Sequence, residues 1–96
     1  MIDLLEAEPF TRWLTGLRDP VGRQAIARRL RQLEQGSFGD AKSVGGGVSE
    51  LRISVGPGYR LYFHRRGLTV VLLLCGGDKA TQDRDIARAQ KMVQEL

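Results

Sequence analysis

The sequence predicts an α+β domain: a small, mainly antiparallel sheet packed on an N-terminal helical hairpin, with a C-terminal helix. Three observations lead there. Val48 to Arg66 alternates apolar and polar residues on either side of Gly56-Pro57-Gly58, the pattern of a β-hairpin. Val70 to Cys75 is apolar without alternation, which suits a central strand covered on both faces. Apolar residues recur at helical spacing in two stretches before the hairpin and one after the apolar run. The 96 residues make a single domain, 1–96, without internal repeats, large enough to bury one core.

Each element has its own justification. Ile2 to Leu5 is short and apolar and suits an edge strand. A helix starts near Pro9, which a first helical turn tolerates, and directs Phe10, Trp13, Leu14 and Leu17 at the core. Trp13 is thereby a core residue and not a platform for stacking bases. Asp19-Pro20 supplies an N-cap and an N1 proline for a second helix, which runs to about Gln35 and stops at Gly36. Its apolar stripe is Ala25, Ile26, Leu30 and Leu33. Arg23, Arg28, Arg29 and Arg31 lie on the rest of its surface, as solvated charges or as phosphate contacts. The short turn between the helices makes them antiparallel.

Ser37 to Gly47 reads as a loop, with Lys42 and Val44 a ragged start to the sheet. Gly45-Gly46-Gly47 precedes a strand instead of opening a helix, which excludes a P-loop. In the hairpin, a three-residue loop would pair Val55 with Tyr59, Ile53 with Leu61 and Leu51 with Phe63. The opposite face would then pair Ser54 with Arg60, Arg52 with Tyr62 and Glu50 with His64, at about 5 Å between Cβ atoms. Arg66-Gly67 turns into the central strand, and Gly76-Gly77-Asp78-Lys79 ends it. Thr81 caps a last helix, with Asp83 and Asp85 favourable to its N-terminal dipole and Ile86, Ala89, Val93 and Leu96 as its apolar stripe.

Composition bounds the function. A net charge of +4 and a pI near 9.8 favour a polyanionic partner. Cys75, the single cysteine, lies in the apolar run and reads as a buried, inert thiol. One cysteine and one histidine do not make a zinc site, so neither metal nor cofactor is expected. No stretch approaches the roughly 18 apolar residues that span a bilayer, and the N-terminal stretch lacks the features of a signal peptide, which suggests the cytoplasm. The polar face of the hairpin, with two arginines, a tyrosine, a histidine and a glutamate, is either an ordinary solvated sheet face or a site for a planar anionic ligand such as RNA.

Several segments together carry a resemblance to a known family. They are Glu50-Leu51-Arg52-Ile53, Gly56-Pro57-Gly58-Tyr59-Arg60-Leu61-Tyr62-Phe63 and Leu72-Leu73-Leu74-Cys75-Gly76-Gly77-Asp78-Lys79, extended by Thr81-Gln82 and Asp85-Ile86. In order and spacing they resemble the RelE/ParE superfamily of toxins from bacterial type II toxin–antitoxin modules, more narrowly the HigB-like branch of addiction module killer proteins. The resemblance covers nearly the whole chain. It implies the RelE-like fold and a metal-independent endoribonuclease, an mRNA interferase. Such a toxin inhibits translation, commonly at the ribosomal A site, and is neutralised by a cognate antitoxin. Cleavage is by attack of a ribose 2′-OH on the adjacent phosphate.

Carried onto this chain, Arg52, Arg60 and Lys79 occupy the basic positions of the catalytic site, with Tyr62 beside them to stack a base. Cations fixed there stabilise the charge that develops on the phosphorane. His64, oriented by Glu50, is a candidate general base, although the family often relies on lysine, arginine and tyrosine alone. Lys79 is the candidate proton donor or phosphate clamp. Lys42, Arg65 and Arg66 are further candidates for binding RNA. The HigB-like branch implies an antitoxin with a helix-turn-helix domain, and operator DNA bound only through it. Two other outcomes fit the same resemblance: a ParE-like poison of DNA gyrase, and a non-toxic module that only binds its antitoxin.

Overall fold

A computed structural model describes Met1–Leu96 and has the expected α+β architecture. The chain starts with strand β1 (Asp3–Glu6), then helices α1 (Glu8–Gly16) and α2 (Pro20–Glu34). Strands β2 (Ala41–Gly45), β3 (Val48–Ile53), β4 (Tyr59–Arg66) and β5 (Val70–Asp78) follow. A 3₁₀ turn, Lys79–Thr81, leads into helix α3 (Gln82–Gln94). The five strands form one sheet in the order β1-β5-β4-β3-β2. All neighbours are antiparallel except β1, which runs parallel to β5 at the edge.

Helices α1 and α2 cover one face of the sheet. Phe10, Ile26 and Leu33 are fully buried there, against Leu51, Ile53, Tyr59, Leu61, Phe63, Val71 and Leu73. Trp13, Leu14, Leu17, Ala25 and Leu30 complete that layer. Trp13 belongs to the core, as its spacing predicts, with its ring 6.0 Å from Phe10 and 6.2 Å from Tyr59. The opposite face also carries a core: α3 lays Ala89, Ile86, Met92 and Val93 on Val48, Tyr62, Leu72, Leu74 and Cys75. A bulge in β4–β5 skips one residue, with Tyr62 opposite Cys75 and Phe63 opposite Leu73. This lets Leu74 and Cys75 both join the α3 side. Burial raises the Cys75 thiol pKa to about 11, in keeping with an inert residue.

Four expectations are corrected. The β3–β4 loop has five residues, Ser54–Gly58, and not three, so Ile53 pairs with Tyr59, Leu51 with Leu61, Arg52 with Arg60 and Glu50 with Tyr62. The register moves by two, an even shift that leaves every side chain on its expected face. Gly76 and Gly77 lie inside β5 and do not end it. A Cβ on Gly76 would collide with the Trp13 ring, and one on Gly77 with Asp85 Oδ2. Thr81 occupies the N-cap position of α3 but makes no side-chain cap hydrogen bond, its Oγ1 donating instead to Asp85 Oδ2 at 2.5 Å, while Asp78 caps the preceding 3₁₀ turn by accepting from Ala80 N at 2.9 Å. Leu96 lies beyond the end of α3 and is 58% exposed, outside its stripe.

The close approach at Gly76 gives a first prediction. Gly76→Ala should cost about 1–3 kcal/mol through overpacking against Trp13, read as a lower denaturation midpoint. Gly16→Ala, with nothing within 4 Å of its Cβ and no left-handed backbone, should cost little or nothing. Equal effects from both would rule out the steric explanation.

Candidate functional site

Strands β3 and β4 set Arg52 and Arg60 directly opposite one another on the α3 side of the sheet. Like charges in that arrangement repel, and Glu50, two residues before Arg52, relieves this. Its carboxylate is fully buried. Arg52 Nε lies 3.2 Å from Oε1, and Arg60 Nε 3.9 Å from Oε2. Gln82 Nε2, from the first turn of α3, donates to Oε2 at 2.8 Å, and the Tyr62 hydroxyl donates to the same oxygen at 3.3 Å. Burial by itself would raise the Glu50 pKa, but the Gln82 amide and the two guanidiniums outweigh it and hold the carboxyl below its ordinary value. Glu50 is therefore an ionised anchor for both arginines.

These arginines open onto a cleft of about 400 Å³. Arg52, Arg60 and Lys79 line it together with Asp40, Ser54 and the Gly56-Pro57-Gly58 backbone. Arg60 is 8% exposed and its Nη1 donates to Gly58 O at 2.6 Å. Its Nε is buried without a hydrogen-bond partner. Gly58 sits at φ +80°, a conformation open to glycine at no steric cost, and the turn holds its carbonyl against the guanidinium. The loop is held from the helical side as well: Tyr59 donates to Asp19 Oδ2 at 2.7 Å, which lowers the Asp19 pKa and raises that of the phenol to about 12. Arg29 of α2 donates to Arg52 O at 2.9 Å and to Phe38 O at 3.5 Å, fastening the 37–40 loop beside β3. Arg23 donates to Leu14 O and Leu17 O at the end of α1. Two of the four α2 arginines thus hold the backbone.

Arg52, Arg60 and Lys79, grouped by the resemblance, line one cleft, but two other candidates require correction. Tyr62 is fully buried under α3, with its hydroxyl on Glu50 and its pKa raised chiefly by burial, so it offers no face to a base. His64 faces Gly47, with Nδ1 2.7 Å from that carbonyl, and Glu50 pairs with Tyr62 instead, so the expected Glu–His pair does not form. Both follow from the longer loop and from α3, which covers a face expected to be open. Lys42 and Arg65 meet at a second, smaller cleft. Arg66 is exposed opposite Val70 and lines neither cleft. Asp40 and Gln82 were not singled out as site residues. Val48, an apolar residue in phase with Glu50 and Arg52, was the available sign that this face is partly buried.

The Glu50 anchor gives a pH prediction. A carboxyl held below its ordinary 4.5 stabilises the fold fully above that value, and the contribution is lost as pH falls through the lower folded value. Glu50→Gln should melt at a lower temperature than wild type at pH 7, and the gap should narrow as pH drops below 4.5. A gap independent of pH would contradict an ionised anchor.

No family model matches the chain. An uncharacterized protein of Haemophilus influenzae is 47% identical over 87 residues, covering 91% of this chain and 88% of that one. The solution structure of the conserved hypothetical protein HP0894 from Helicobacter pylori is similar in fold, with a TM-score of 0.58 at 20% identity. That match covers 83% of this chain and 97% of the other, and it agrees with the α+β architecture. No helix of the chain is long and apolar enough to cross a membrane.

Proposed function

We propose that this chain, which belongs to one family with the Haemophilus influenzae protein, is a RelE/ParE-like toxin of the HigB-like kind, a cytoplasmic endoribonuclease that cuts mRNA and stops translation. The observation that carries the reading is the convergence of Arg52, Arg60 and Lys79 on one cleft, two of them held by a buried carboxylate. Fixed cations cost no reorganisation when charge develops on the phosphorane. In this reading the arginines grip the non-bridging phosphate oxygens. Lys79, exposed at the head of the 3₁₀ turn, protonates the leaving 5′-oxygen. The 2′-OH needs a proton acceptor as it attacks, and Asp40 is the carboxylate lining the cleft. The products are a 2′,3′-cyclic phosphate and a 5′-hydroxyl.

A toxin of this kind needs an inhibitor. The partner proposed is an antitoxin with a helix-turn-helix domain, through which the complex would bind operator DNA. Induction of the chain alone should halt incorporation of labelled methionine within minutes. Co-expression with the neighbouring open reading frame should restore growth, and the two products should co-purify. A chain harmless on its own, or rescue without a physical complex, would defeat the proposal. Burial of Tyr62 and the turned-away His64 favour a second reading, a ParE-like gyrase poison, because they remove two groups expected to serve RNA cleavage.

A further inference from the structure

We infer that the second cleft is a nucleotide subsite, in which Arg65, stacked on Phe38, receives the face of a base while Lys42 meets a phosphate. The inference rests on the RNA reading of the main cleft and names what would lie beside it. The cleft is about 200 Å³ and is lined by Phe38, Lys42, Ser43, Ser49, Phe63 and Arg65, among others. Phe63 is buried, and its ring lies 5.8 Å from that of Phe38, so Phe38 is seated on the core. Arg65 Cζ stands 4.4 Å above the Phe38 centroid. The guanidinium is exposed and has neither a carboxylate nor a hydrogen-bond partner, and Lys42 is likewise exposed and unpaired. The series Phe63–Phe38–Arg65 thus ends in an exposed guanidinium, a planar cation of a kind that suits stacking by a base. Ser43 and Ser49 are cross-strand partners beside it and add hydroxyl donors.

The position relative to the main cleft strengthens the case. One short loop borders both, with Phe38 in the smaller cleft and Asp40 in the larger. Arg29 holds that loop through Arg52 O and Phe38 O, so the two clefts are fixed with respect to one another. Arg52 and Arg60 lie on the α3 side of the sheet and Arg65, in phase with Phe63, on the other, so an RNA held in both clefts would pass over this loop at the sheet edge. The two serines and the stacked guanidinium would make this subsite a source of sequence preference around the cut.

Fluorescence anisotropy on labelled RNA tetranucleotides, made uncleavable by 2′-deoxy substitution, tests this directly. A matching set carries one abasic position each. Arg65→Lys keeps the charge and removes the plane, and it lies on an exposed side chain whose loss leaves the core untouched. It should weaken binding of the full tetranucleotide about tenfold and leave unchanged the probe whose abasic position falls in the subsite. Lys42→Ala should weaken all probes alike and flatten the salt dependence. Arg65→Lys binding every probe as wild type does would overturn the subsite, and if RNA is still cleaved in that case, the ribonuclease reading survives. Stacking detected on RNA that the protein never cuts would uphold the subsite and refute the ribonuclease. Failure of the wild-type protein to bind any of the RNAs would overturn both.

Discussion

Arg60→Ala should abolish toxicity in a protein that still folds. Arg60 lines the main cleft, opposite Arg52 and against Glu50. Removal of one charge-assisted phosphate contact costs about 2–4 kcal/mol at the transition state, or roughly 30- to 1000-fold in rate. The fold should survive because Glu50 keeps Arg52, Gln82 and Tyr62 as partners. Loss of the Gly58 hydrogen bond and of the pairing with Glu50 should lower the melting temperature by only a few degrees. Arg60→Lys separates charge from geometry: it keeps the cation and loses the two-pronged grip, and should recover only part of the rate. Growth arrest and transcript cleavage at matched expression are the readouts. A fully toxic Arg60→Ala would mean that the active surface lies elsewhere.

Leu61→Asp should unfold the chain. Leu61 is fully buried in the layer between the sheet and α1/α2, opposite Leu51 on one side and Gly76 on the other. None of the hydrogen bonds of that layer offers a carboxylate a partner, and an unpaired charge there costs more than about 4 kcal/mol, a large part of a small domain's stability. Leu61→Met, which nearly conserves volume, should cost less than about 1.5 kcal/mol. Circular dichroism during denaturation distinguishes them. A cooperatively melting Leu61→Asp would mean that the two faces of β4 are exchanged.

Period-2 alternation made the faces of the hairpin legible from the sequence, and helical spacing did the same for Phe10, Trp13, Ile26 and Leu33. Alternation also put Arg52 and Arg60 on one face, whereas Lys79 was joined to them only by the resemblance to the RelE/ParE superfamily. What escaped was tertiary. Loop length sets register, and Gly56-Pro57-Gly58 fits a turn of three residues as readily as the last three of one of five. The covering of the polar face by α3 depends on where β5 sends the chain, and that decision buries Glu50 and Tyr62. A strand pattern reads the same whether its polar face meets water or a helix that satisfies it. Gly76 and Gly77 look like a strand end until the Trp13 ring and Asp85 are known to lie against them.

The claim that the cleft cleaves RNA is tested most directly by mapping transcript 5′ ends and plasmid supercoiling in the same induced cells. New 5′ ends should appear within coding regions of the wild-type sample and be absent with Arg60→Ala, with plasmid topology unchanged in both. Relaxed or linearised plasmid with intact transcripts would contradict that claim in favour of gyrase poisoning, and arrest with neither change would remove both nucleic-acid mechanisms.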